Sequence, residues 1–125
     1  MTQARSPEPL PVDKVECARC RMLISTEAGG GEIVSSSDET RFYDDVGCLA
    51  ADWKTHGADA IAFVRLSSGR WSDAQHAVFV RSPDVRTPMG SGFIAFATAA
   101  EARASEPDRQ ALTFDEVVTA IGATR

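Results

Sequence analysis

Nothing in this sequence is apolar for long enough to cross a bilayer as a helix, which takes about eighteen or more consecutive residues. Positive charge is in short supply. The chain has 13 Lys and Arg against 18 Asp and Glu, a formal charge of −5, which argues against the basic face of a nucleic-acid-binding protein. Histidine is scarce (His56 and His76), and cysteine occurs at Cys17, Cys20 and Cys48. An odd count cannot be used up by disulfides, so at least one thiol is free. A reduced or metal-bound site fits that better than a stapled secreted domain. There is no second Cys-x-x-Cys and no His-x-x-x-His pair, so a four-ligand zinc site would have to be assembled as Cys3His from scattered positions. The first residues lack the apolar core of a signal peptide. The chain is expected either to be cytoplasmic or to have lost a leader.

What remains is ordinary in bulk. With 125 residues, 43% of them apolar and 25% charged, the chain can build one domain, or two very small lobes that share a core. Residues 1–14 carry three prolines and little that packs, and read as a flexible leader or tether. Residues 15–121 read as the folded domain, with lobes at about 15–67 and 68–121, and 122–125 as a tail.

The stretch Cys17-Ala-Arg-Cys20-Arg-Met22-Leu-Ile places two thiols and a thioether within six residues. Thiolates and thioethers are soft ligands that select Cu(I) over Mg, Ca or Mn. If the segment is extended, Cys20 and Met22 project from one face. A Cys-x-x-Cys is equally a zinc half-site or a redox pair. Met22 favours Cu(I), because neither zinc nor disulfide chemistry uses a thioether.

The periodicity predicts strands over 20–25, 32–36 and 40–43, the last two as a hairpin around 37–39. A helix over 46–55 follows, introduced by Asp44-Asp45 as caps, with Val46, Leu49 and Trp53 on one stripe and Gly57 at its end. A strand over 60–66 completes the first half. The second half offers strands over 77–81 and 93–96, separated by the tight loop Thr87-Pro-Met-Gly-Ser-Gly92. Helices over 99–105 and 114–121 each open on a capping box, Thr98 with Glu101 and Thr113 with Glu116. The strand-strand-helix order recurs, which predicts an α+β fold of two small related ββα-type lobes packed together. Trp53, Trp71, Phe63, Phe79 and Phe93 read as core between them, and Cys48 as a small buried residue.

Three blocks in order carry a resemblance: Cys17-x-x-Cys20-x-Met22-x-Ile24, Phe42-Tyr-Asp-Asp-Val-Gly-Cys48-Leu and Thr87-Pro-Met-Gly-x-Gly-x-x-Ala-Phe96. Together they resemble the NosL family, accessory proteins of nitrous oxide reductase, over roughly residues 15–121. The resemblance implies a fold similar to the organomercurial lyase arrangement. It implies a Cu(I)-binding copper chaperone, not an enzyme, working in the bacterial periplasm with nitrous oxide reductase and a membrane ABC-type copper-assembly complex. Family members are lipid-anchored; this sequence has no lipobox, so the anchor is expected in a full-length precursor. Cys20 and Met22 fall on the family's Cys-x-Met copper motif and Met89 on its Pro-Met-Gly loop, while Cys17 and Cys48 stand where the family often has cysteine. Arg21 occupies a position where glycine is common.

The candidate Cu(I) set is therefore Cys20 and Met22, completed by Met89, Cys17 or His76, in a monomer or a metal-bridged dimer. The alternatives are a thiol-dependent enzyme, as a dithiol oxidoreductase or lyase-like protein, and a structural zinc module on Cys17, Cys20 and Cys48. No thioredoxin-like context surrounds the Cys-x-x-Cys, and no acid/base pair serves a lyase.

Overall fold

The computed structural model describes residues 7–26, 28–35, 39–57, 59–82 and 91–123. Its first sheet grows from β1, Gly31–Ser35, which pairs antiparallel with β2, Thr40–Tyr43, on one side and with β3, Ala60–Arg65, on the other. A short strand β4, Trp71–Asp73, adds to β3 and gives the order β2-β1-β3-β4. Central placement explains why Gly31 to Val34 are all buried, Glu32 included. Between β2 and β3 runs α1, Val46–His56. It lies directly on β1 because position 31 has no side chain: a Cβ there would stand 2.8 Å from Leu49 Cδ2 and 3.0 Å from the Phe63 carbonyl.

The second sheet is the antiparallel pair β5, Val78–Arg81, and β6, Phe93–Phe96. Helix α2, Ala99–Ser105, follows it, and α3, Phe114–Ala123, closes the chain. The order β1-β2-α1 is thus repeated as β5-β6-α2. The small group Val80, Phe96 and Ala102 holds α2 to its sheet. The main core is shared: Ile33, Tyr43, Leu49 and Val64 from the first half are continuous with Phe79, Phe93, Phe114 and Val117 from the second. Phe63 is also buried, while Trp53 and Trp71 pack partly buried against this core. A backbone bond from Ser67 to Ala95 (2.8 Å) ties the sheets together.

Several expectations change. The strand expected over 20–25 is absent; the segment is a turn with one isolated bridge, Glu16 to Leu23. Strand β4 and the 3-10 turn Ala74–His76 were not foreseen. Of the expected hairpin tip over 37–39, residues 37 and 38 lie outside the described residues. In the segment expected as a tether, Leu10 is buried, the Glu8 amide donates to Glu32 Oε1 (2.6 Å) and the Asp13 amide to the Ile24 carbonyl (2.7 Å). Among the described residues no helix is long and apolar enough to cross a membrane.

Candidate metal centre

The Cys-x-x-Cys segment folds as a knuckle. The Cys17 amide donates to the Met22 carbonyl (2.8 Å) and the Arg21 amide to the Cys17 carbonyl (2.9 Å), closing the loop on itself. The Ala18 amide then bonds the Phe42 carbonyl (2.8 Å), which fixes the knuckle to β2. Arg21 has φ 69°, the left-handed region that L-residues with a Cβ enter at a cost. That is the physical reason glycine suits this position. The same turn undoes the expectation that an extended segment would put Cys20 and Met22 on one face.

Strand β2 runs directly into Asp44 and Asp45, and these neighbours take different tasks. Asp45 is the N-cap of α1: its Oδ1 accepts from the Gly47 amide (2.8 Å) and from the Ser91 hydroxyl. Asp44 is not needed there and faces the knuckle, where the Cys20 thiol donates to its carboxylate (3.6 and 3.7 Å). Cys48, in the first turn of α1, completes the arrangement. The ligand atoms of Cys17, Cys20, Asp44 and Cys48 all lie within 4.8 Å of one another. Cys17, Asp44 and Cys48 are buried and Cys20 is half-buried.

The four groups do not share their protons evenly. Cys17 is pulled down to about 4, first by the Cys48 thiol that donates to its sulfur; backbone amides of Cys20, Asp44 and Arg19 add to this against the opposing effect of burial. Cys48 is pushed up as the donor in that pair and by burial. Cys20 is pushed up chiefly by burial. Asp44 rises to about 6, through burial and then the negative charge of Cys17. The group thus holds a thiolate beneath two thiols and an acid, and a metal bound there displaces protons.

The knuckle is also tied to α1. The Arg19 guanidinium reaches Asp52 Oδ1 (3.4 Å), and the buried Tyr43 hydroxyl donates to Asp52 Oδ2 (2.8 Å). Tyr43→Phe removes the buried donor and leaves Asp52 to a half-exposed arginine, so we expect a loss of about 2 kcal/mol in urea unfolding. A loss below about 0.5 kcal/mol would show that Arg19 alone satisfies Asp52.

Of the residues expected as ligands, Cys17 and Cys20 are brought together. The Met22 side chain is largely in solvent, 58% exposed, with Leu23 beside it at 53%. His76 lies exposed on the 3-10 turn and is not part of the group. Met89 lies outside the described residues; Ser91, two positions on, bonds Asp45. Cys48 was expected here only in the zinc alternative, and Asp44 was expected as a cap of the helix. The spacing held a signal: the two residues are four apart at a helix start, and two adjacent acids stand where one suffices as cap. A cleft of about 460 Å³ reaches Cys17 between Arg21 and Arg41, and one of about 280 Å³ reaches Cys48 between Arg19 and Arg81.

No curated protein matches this chain. A solved structure, the copper chaperone NosL from Shewanella denitrificans, has the same fold: TM-score 0.72 at 21% identity, over 91% of this chain and 94% of that one. The family model NosL matches residues 10–121, which spans the knuckle, both sheets, α1, α2 and most of α3. The chain belongs to the NosL family.

Proposed function

We propose that this protein is a Cu(I) chaperone that delivers copper for the metal centres of nitrous oxide reductase, in the periplasm and in concert with a membrane ABC-type assembly complex. The observation that carries the reading is the knuckle itself. With Cys48 from α1 it gathers three cysteine sulfurs at one point, with Cys20 half-exposed and the Met22 thioether in solvent. Soft donors hold Cu(I), and a half-exposed thiolate leaves a face open for an incoming ligand. Cys20, Met22, Met89 and Cys17 form the proposed set. Transfer then proceeds by ligand exchange: a donor on the recipient bonds the ion before Cys20 lets go, so copper is never released free. No bond in a substrate is made or broken, and the protein acts without catalysis. The fold shared with a copper chaperone and membership of the family support this assignment.

The test is an anaerobic Cu(I) titration of the reduced protein against a chromophoric chelator. One ion is expected to bind tightly, to be lost in Cys20→Ser and to be held more weakly in Met22→Leu and Met89→Leu. Unchanged Cu(I) affinity in Cys20→Ser overturns the reading.

A further inference from the structure

We propose that Cys17 and Cys20 close a reversible disulfide, so that only the reduced protein takes up copper. The consequence for copper rests on the chaperone reading; the disulfide itself does not.

Position comes first. The sulfurs of Cys17, Cys20 and Cys48 all lie within 4.8 Å of one another, and all three cysteines are free. A disulfide of about 2.0 Å requires side chains that can turn toward each other from backbones already close together. Cys17 and Cys20 share one turn, held closed by the bond from the Arg21 amide to the Cys17 carbonyl (2.9 Å). Cys48 belongs to α1, whose start is pinned where Asp45 accepts from the Gly47 amide and the Ser91 hydroxyl. A bond to Cys48 would therefore pull the helix against the knuckle, whereas a bond between Cys17 and Cys20 strains neither against the other.

Access comes second. Cys17 and Cys48 are buried and Cys20 is half-buried, so an oxidant meets Cys20 first. The turn that carries it is open to solvent at Met22 and Leu23. The cleft between Arg21 and Arg41 reaches Cys17 from a second side.

The oxidant is a small-molecule disulfide. The Cys20 sulfur attacks one of its two sulfurs, the S–S bond of the oxidant breaks, and one half departs as a thiol with the proton that Cys20 gives up. The Cys17 sulfur then attacks the Cys20 sulfur and expels the other half, which takes the proton from Cys17. Two electrons and two protons pass from the protein to the oxidant, and one S–S bond replaces another. The bond from the Cys20 thiol to the Asp44 carboxylate (3.6 and 3.7 Å) ends when that proton leaves. Both knuckle sulfurs are then bonded to each other, and neither is the thiolate that a metal needs. Cys48 stays behind as a single thiol.

Oxidised glutathione is the probe, mixed with its reduced form in stepped ratios and added to the metal-free full chain. Remaining thiols are capped with an alkylating reagent before digestion with trypsin. Cleavage after Lys14, Arg19, Arg21, Arg41 and Lys54 puts the cysteines on peptides 15–19, 20–21 and 42–54. We expect 15–19 joined to 20–21, with the label on 42–54. Cys48→Ser should form the same pair, and Cys17→Ser should stop at a glutathione adduct on Cys20. Cu(I) binding should be lost in the oxidised wild type and return after reduction and desalting. Peptide 15–19 joined to 42–54 overturns the proposal. So does a wild type that keeps every thiol in the most oxidising mixture, or that halts at the glutathione adduct. An oxidised protein that still binds Cu(I) as tightly as the reduced one overturns the switch. A reduced protein that binds no Cu(I) removes the chaperone reading instead and leaves the disulfide standing.

Discussion

Phe114→Ala lowers the stability of the protein by about 4 kcal/mol. Phe114 is fully buried at the head of α3. Its ring meets Trp53 of α1 edge-on, with centroids 5.6 Å apart at 63°, and Phe79 of β5 at 5.8 Å and 36°. Three elements therefore converge on one side chain, and Ala would leave a cavity that none can close without giving up the others. Aromatic pairing adds to the loss of buried area. The helix start itself should survive, because its capping box is independent of the ring: Thr113 Oγ1 accepts from the Glu116 amide (3.2 Å) and Glu116 Oε1 from the Thr113 amide (2.9 Å). Urea unfolding is the measurement. The midpoint should fall steeply with an unchanged m-value, as for a lost contact in an unchanged fold. A loss below about 2 kcal/mol would mean that α3 is not anchored through this residue.

The second large effect depends on pH and resides in Glu32. This carboxyl sits on the central strand, fully buried, with Oε1 accepting from the Glu8 amide and Oε2 without a partner among the described residues. Burial raises it from 4.5 to about 7. Between these values the folded protein holds a proton that the unfolded chain has released, so stability falls as pH rises. The favourable state is complete below about pH 4.5 and is lost by the time pH has risen through 7. The shift corresponds to about 3 kcal/mol. Two other groups titrate in the same range with opposite signs: Asp44, raised to about 6, also loses stability with rising pH, whereas Cys17, lowered to about 4, gains it. The quantity to measure is therefore the difference between wild type and Glu32→Gln across pH 5 to 8. We expect the amide variant to gain relative to wild type by about that amount as pH rises. A difference that stays flat with pH means that Glu32 is not protonated at the low end.

How much of this was open to a reader of the sequence depends on how far each element's signal reaches along the chain. Strands Thr40–Tyr43 and Phe93–Phe96 and helix Ala99–Ser105 fall at their expected bounds. Their apolar runs and the Thr98 cap are local signals, and local signals survive folding. The knuckle was misread as a strand because its apolar residues Met22, Leu23 and Ile24 look extended. Hydrogen bonds across the loop and the left-handed Arg21 decide otherwise. Strand β4 has three residues and exists through its pairing with β3, a contact that no window of sequence contains. The centre divides in the same way. Cys17 and Cys20 announce themselves by spacing. Asp44 and Cys48 join them only because β2 ends beside the knuckle and hands the chain on to Asp44 and the start of α1, which is a property of the sheet.

The knuckle and the start of α1 are far apart in sequence, and an ion shared between them would be a clasp around the whole hairpin of β1 and β2. Closing a loop of about thirty residues removes roughly 3 to 4 kcal/mol of disorder from the unfolded chain, as a disulfide would. Loaded and empty protein would then differ in lifetime as well as in cargo. A chain with no ion in that clasp would open more often, exchange its amides sooner and meet proteases earlier than one with the clasp filled.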